Sequence, residues 1–141
     1  MNLSIAQSIL AGALALARQR NMKPLAVAVL DARGAIRAAA SEDGTSLHRL
    51  DVAVGKAYGG IALGMSSRKI MERAENQSYF VAAMSHITGG RMVPVPGGVL
   101  IRDAAGALLG AVGISGDTSD NDEACCCAGI AAVGLVAETG A

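Results

Sequence analysis

The chain has 141 residues, 52% hydrophobic and 17% charged, which excludes a disordered segment and fits one domain, 1–141, around one core. Twelve basic residues balance twelve acidic ones, and no basic stripe is interleaved with aromatics, which argues against nucleic-acid binding. With one Phe, two Tyr and no Trp, the core must be built from small aliphatic side chains, and 18 glycines allow close backbone approach.

In chain order, a first helix is expected from about Ser4 to Arg20. Ser4 and Gln7 have capping-box spacing, and Ile5, Ile9, Ala13 and Leu16 recur at helical intervals. Asn21 ends this helix and Pro24 enforces the break. The apolar run from Ile5 to Ala17 does not read as a secretory signal, because no positive residue precedes it and Arg18 and Arg20 follow it. It is also too short to span a membrane. Leu25 to Leu30 reads as a buried strand, Asp31-Ala32-Arg33-Gly34 as a turn, and Ala35 to Ser41 as the returning strand, closed by Asp43-Gly44.

A second helix is expected from Leu47 to about Leu63, with Ala53, Ala57 and Gly60 as a seam of small residues. Ser66 or Ser67 caps a short helix, and Ser78 caps another that runs through Ile87 to Gly89-Gly90. Arg91 to Val95, interrupted by Pro94 and followed by Pro96, reads as an edge strand. Val99 to Arg102 and Ala107 to Ile114 read as strands around Asp103-Ala104-Ala105-Gly106. A last helix, capped by Ser119 or Asp120, runs from near Asp120 to about Ala137. The pattern D-A-x-G-A occurs at Asp31 and again at Asp103, which reflects shared turn chemistry rather than duplication. The order predicts an α+β fold, an antiparallel sheet with helices packed against it.

The stretch from Gly113 to Glu123 carries a glycine turn into an acid-rich helix start. Its acids either complement the helix dipole, or Gly116 admits a ligand to the backbone while Asp122 or Glu123 acts as acid or base. The two histidines, His48 and His86, are either hydrogen-bonded surface residues or the available nitrogen ligands for haem iron. Arg49 and Lys56 stand two turns apart and either hold a carboxylate or form a solvated face. Gly89-Gly90 and Gly97-Gly98 serve tight turns or close ligand approach. Cys125, Cys126 and Cys127 are consecutive, so they cannot all face one ligand, and they suit neither a disulfide framework nor metal-ligand spacing. No metal site is expected, the location is read as cytoplasmic, and a neutral, apolar small domain is expected to form a homo-oligomer.

The order of Ala26-Val27-Ala28-Val29-Leu30-Asp31-Ala32-Arg33-Gly34, Glu42-Asp43-Gly44, Asp51-Val52-Ala53 and Lys56-Ala57-Tyr58 resembles the GlcG/HbpS-like haem-degrading family. So do the later Gly89-Gly90, Pro94, Gly97-Gly98, and Gly110 to Gly116 with Asp122-Glu123, so that the resemblance covers nearly the whole chain. It implies a profilin-like α+β fold assembled into oligomers. Relatives are described as haem-binding or haem-degrading, one group forms the C-terminal domain of PduO-type corrinoid adenosyltransferases, and GlcG accompanies glycolate catabolism. The implied function is an oligomeric small-molecule-binding protein for haem or another tetrapyrrole. The shared motifs include neither His48 nor His86, so the resemblance assigns no haem ligand. The residues alone support an alternative, a cofactor-independent isomerase, hydratase or lyase acting on a small organic acid. There, Arg49 or Lys56 would hold the carboxylate and Glu123 or His86 would move the proton.

Overall fold

A computed structural model describes residues 1–140. The first helix, α1 (Leu3–Gln19), buries Ala6, Ile9, Ala13 and Ala17, a stripe at intervals of three and four. Its cap is Asn2, whose Oδ1 accepts the Ile5 N–H at 2.9 Å. The expected cap, Ser4, lies inside the helix instead, because Asn2 satisfies the same orphan donors one half-turn earlier. Asn21 follows in a left-handed conformation, φ 53°, and ends the helix as expected.

Strands β1 (Ala26–Asp31) and β2 (Ile36–Ser41) form the first hairpin, and β3 (Gly98–Arg102) and β4 (Leu108–Ser115) the second. The two turns share one chemistry. Asp31 Oδ1 accepts the N–H groups of Arg33 and Ala35 at 2.9 and 3.1 Å. Asp103 Oδ1 likewise accepts those of Ala105 and Ala107 at 2.9 and 2.8 Å. The repeated D-A-x-G-A pattern is thus an Asx-type turn used twice.

All five strands are antiparallel neighbours in the order β2-β1-β4-β3-β5, with β4 central and β5 (Val136–Glu138) at the β3 edge. On one face, Val27, Val29, Val99, Ile101, Val112 and Ile114 pack under α1 and α5 (Ser119–Ala132). On the other, Ala28, Leu30, Leu100 and Ala111 meet Ala53 and Ala57 of α2 (Arg49–Leu63). The small-residue seam of α2 therefore serves a sheet: a Cβ at Gly113 would lie 1.9 Å from the Ala53 carbonyl oxygen, so β4 and α2 touch backbone to backbone. Two short helices, α3 (Ser67–Asn76) and α4 (Ser78–Ile87), bury Ile70 and Val81 against Met92.

Four further expectations are corrected. The segment from Arg91 to Val95 is not a strand; it crosses α2, with the Val93 N–H on the Gly55 carbonyl at 3.2 Å, since Pro94 and Pro96 offer no ladder donors. Ser78 does not cap α4, which starts from Gln77 without a side-chain cap. Helix α5 is capped by Thr118, whose Oγ1 accepts the Asn121 N–H at 3.2 Å, rather than by Ser119 or Asp120. It also ends at Ala132 rather than Ala137, because Gly134 takes φ 72° and turns the chain back to form β5 on the open edge. Ser66 does cap α3, as one of the two expected residues. Among the described residues no helix is long and apolar enough to cross a membrane.

Candidate functional site

At one end of the sheet Ala26 stands in register with Ser41 on one side and Ser115 on the other. The chain enters β1 and leaves β4 here, and α2 begins beside them. Between them lies a cleft of about 210 Å³ lined by Lys23, Pro24, Gly44, Thr45, Ser46, Arg49 and Gly116. Arg49 is the first residue of α2, and its guanidinium donates to Ser115 Oγ at 3.2 Å, while Ser115 itself is buried. Thr45 donates its hydroxyl to the Glu42 carbonyl at 3.1 Å. Gly116 permits the wall to close, because a Cβ there would lie 2.2 Å from the Pro24 carbonyl oxygen.

Behind this wall Asp117 braces both strand ends. Its Oδ2 accepts the Lys23 N–H at 2.9 Å, and its Oδ1 accepts the Thr118 N–H at 2.8 Å and the Asn121 amide at 2.7 Å. The Asn121 hydrogen bond, then those from the Lys23 and Thr118 backbone, hold its carboxyl down at about 2.

A second charged group lies deeper and is sealed. Lys56 is 2% exposed, and its ammonium donates to the Ile114 carbonyl at 2.9 Å and to Asp122 Oδ2 at 3.1 Å. Asp122 Oδ1 accepts the Asp117 N–H at 3.0 Å, so both carboxylate oxygens are used. Burial pushes the Asp122 carboxyl up, against the opposing pull of Lys56. Gly97 closes the chamber: a Cβ there would lie 2.8 Å from Lys56 Nζ and 3.1 Å from Asp122 Cβ. Gly98 sits against the Lys56 backbone, its N–H donating to Ser67 Oγ at 2.7 Å. Cys126 donates its thiol to the Gly97 carbonyl at 3.3 Å, and Cys125 contacts the Met22 sulfur at 3.5 Å. Burial, and next the Asp122 charge, push the Cys125 thiol up to about 11; both cysteines are packing residues.

Of the residues singled out from sequence, Arg49 and Gly116 meet in the cleft, and His48 is exposed beside it, with Nδ1 2.8 Å from Asp51 Oδ2. Lys56, Gly97 and Gly98 belong to the sealed chamber. Glu123 lies outside the cleft, gripped by the Arg68 guanidinium through contacts of 3.1 to 3.3 Å, and Asp120 joins the same guanidinium. These carboxylates strengthen the hold of Arg68 on its proton. His86 is exposed on α4, and Gly89 and Gly90 take φ 67° and 82° just beyond its end, away from the residues that line the cleft. Sequence reading missed Lys23, Ser46, Asp117 and Arg68. Only Asp117 carried a usable signal, as an acid before a helix start; the partners of the others come from distant segments.

Two larger clefts are lined by Arg18, Pro24, Ser41, Glu42 and Asp43, and by residues of the Met65–Gln77 segment, with volumes of about 430 and 620 Å³. Neither is lined by any of the candidate site residues named from sequence.

The sequence profile of haem-degrading HbpS-like proteins matches residues 1–131. No curated protein matches the chain. Among solved structures, a PduOC–haem complex superimposes with a TM-score of 0.86 at 22% identity, covering 96% of each chain. Klebsiella pneumoniae protein ORFY gives 0.83 at 20% identity, covering 94% of this chain and 89% of that one. A double mutant of Streptomyces reticuli HbpS gives 0.80 at 23% identity, covering 95% and 87%. At these identities the likeness is one of fold.

Proposed function

The chain belongs to the HbpS-like haem-degrading family, and from that premise we propose that it is a small-molecule-binding protein that takes up haem or another tetrapyrrole as a homo-oligomer. The family match over residues 1–131 carries this reading, and the fold shared with a protein solved as a haem complex supports it. A cytoplasmic location is part of the same proposal, because three unpaired thiols suit a reducing compartment.

The residues at the start of α2 fit a tetrapyrrole in kind. His48 offers an exposed imidazole, Leu47 beside it is 86% exposed, and Arg49 supplies a cation for a carboxylate edge. The contact of His48 Nδ1 with Asp51 orients the ring and directs its proton to that side, which frees Nε2 for a metal. Bound haem would contribute a redox-active iron; the chain's part is to hold it and exclude water. Size sets the remaining condition. The cleft has about 210 Å³, below the range of roughly 300–1,000 Å³ usual for sites that enclose a drug-sized ligand. One chain would therefore take the edge of the macrocycle, and its face would be covered by a second copy.

The enzymatic alternative draws on Arg49, Lys56, Glu123 and His86. Arg49 lines the cleft, Lys56 is bonded to Asp122, Glu123 is held by Arg68, and His86 sits on α4. No one cleft among the three described brings two of them together.

A haemin titration followed by visible absorbance, with wild type, His48→Ala and His86→Ala, tests the proposal. The expected result is a saturable Soret shift at stoichiometric haem, lost in His48→Ala and kept in His86→Ala, with the bound form larger than one chain by light scattering. No saturable shift in wild type would overturn the haem reading.

A further inference from the structure

We propose that the cleft between Lys23 and Arg49 is a carboxylate-binding site for a small organic acid. This goes beyond haem uptake, because it names the chemistry the pocket recognises whether the carboxylate belongs to a free acid or to the edge of a tetrapyrrole.

Three observations carry it. First, the lining holds two cations and no acid, and neither Lys23 nor Arg49 takes part in a salt bridge among the described residues. Asp117 stands behind the wall, and its carboxylate attracts the Lys23 charge without forming an ion pair with it, so Arg49 is the stronger of the two anion donors. Second, Arg49 is placed against local preference. It opens α2, at the end where the helix dipole opposes a cation, and the N-cap His48 makes no side-chain capping bond. Asp51 in the same turn offsets part of this charge, yet it contacts His48 rather than Arg49. A bound anion would relieve both deficits. Third, Arg49 is aimed. Buried Ser115 takes one of its N–H donors at 3.2 Å, and the others of the five remain for a ligand.

Volume narrows the ligand class. About 210 Å³ equals roughly seven waters at about 30 Å³ each, enough for an acid of a few carbon atoms. Ser46 adds a hydroxyl to the lining, whereas the Thr45 hydroxyl already donates to Glu42 and serves as wall.

Titration of the full chain with sodium malonate by calorimetry, with sodium chloride at matched ionic strength as control, tests the site. Arg49→Gln and Lys23→Gln are the variants; both side chains are on the surface, and circular dichroism checks their folding. Saturable malonate binding is expected, weakened tenfold or more by Arg49→Gln and several-fold by Lys23→Gln. A haemin arm separates the two carboxylate sources. If malonate competes with haemin, or if the variants weaken haemin alone, the site holds the tetrapyrrole edge. If malonate binds and haemin does not, the carboxylate site stands and the haem reading falls. If malonate does not saturate and both variants bind haemin like wild type, or if malonate binds the variants as it binds wild type, the proposal is overturned.

Discussion

Two lysines and their surroundings show how burial divides the work of one sheet end. Lys56 and Asp122 are buried, bonded to each other and to backbone, and closed in by Gly97. Lys23 and Arg49, a short way along the same strand ends, line an open cleft without a salt bridge among the described residues. Removing two charges from water costs several kcal/mol per ion, which a pair recovers only with full hydrogen bonding. In the chamber the ammonium has two acceptors and each carboxylate oxygen has a donor, so both charges are partnered within the fold. The cleft cations remain hydrated and can exchange water for a ligand. A residue type therefore indicated possible chemistry at both places, and solvent access decided where that chemistry is available.

The sharpest way to break this contrast is Lys56→Ala. It strands the Asp122 carboxylate in the chamber, and a loss of about 3–5 kcal/mol is expected in urea denaturation. The paired replacement Lys56→Met with Asp122→Leu should recover most of that loss, since no lone charge remains. A loss below about 1 kcal/mol for Lys56→Ala would show that water reaches the chamber.

A smaller effect is expected from Ser115→Ala, which removes the anchor of Arg49. Stability should fall by about 1 kcal/mol, and malonate affinity by several-fold, because the guanidinium is no longer held toward the cleft. Unchanged malonate affinity would show that the anchor does not position the cation.

The smallest effect concerns acid. The folded pKa of Asp117, about 2, lies below its ordinary unfolded value near 3.9, so its contribution is fully present above that value and is lost as pH falls toward 2. Asp117→Asn should flatten the fall in stability between about pH 4 and 2, and chemical denaturation at each pH measures that slope. An unchanged slope would show that other carboxylates dominate acid unfolding.

Much of the architecture was legible from local sequence. The stripe Ile9–Ala13 marked α1, the apolar run at β1 marked a strand buried on both faces, and the two aspartate turns located the hairpins. Where reading failed, tertiary contacts intervened. Arg91 to Val95 has strand-forming residues but packs across α2, and Val136 to Glu138 leaves the expected helix because the β3 edge offers unpaired backbone.

For the site, sequence alone determined which residues could bear chemistry: it named Arg49, Lys56, Gly116, Glu123 and both histidines. The tertiary structure decided which of them a ligand can meet. It sealed Lys56 behind Gly97, clamped Glu123 with Arg68, and brought Lys23 to face Arg49 across a cleft. Periodicity and turn chemistry are local and can be read along the chain. Solvent access and charge pairing depend on contacts between residues 24 to 66 positions apart, such as Arg18 with Glu42 or Lys56 with Asp122, and these arise only when the chain has folded.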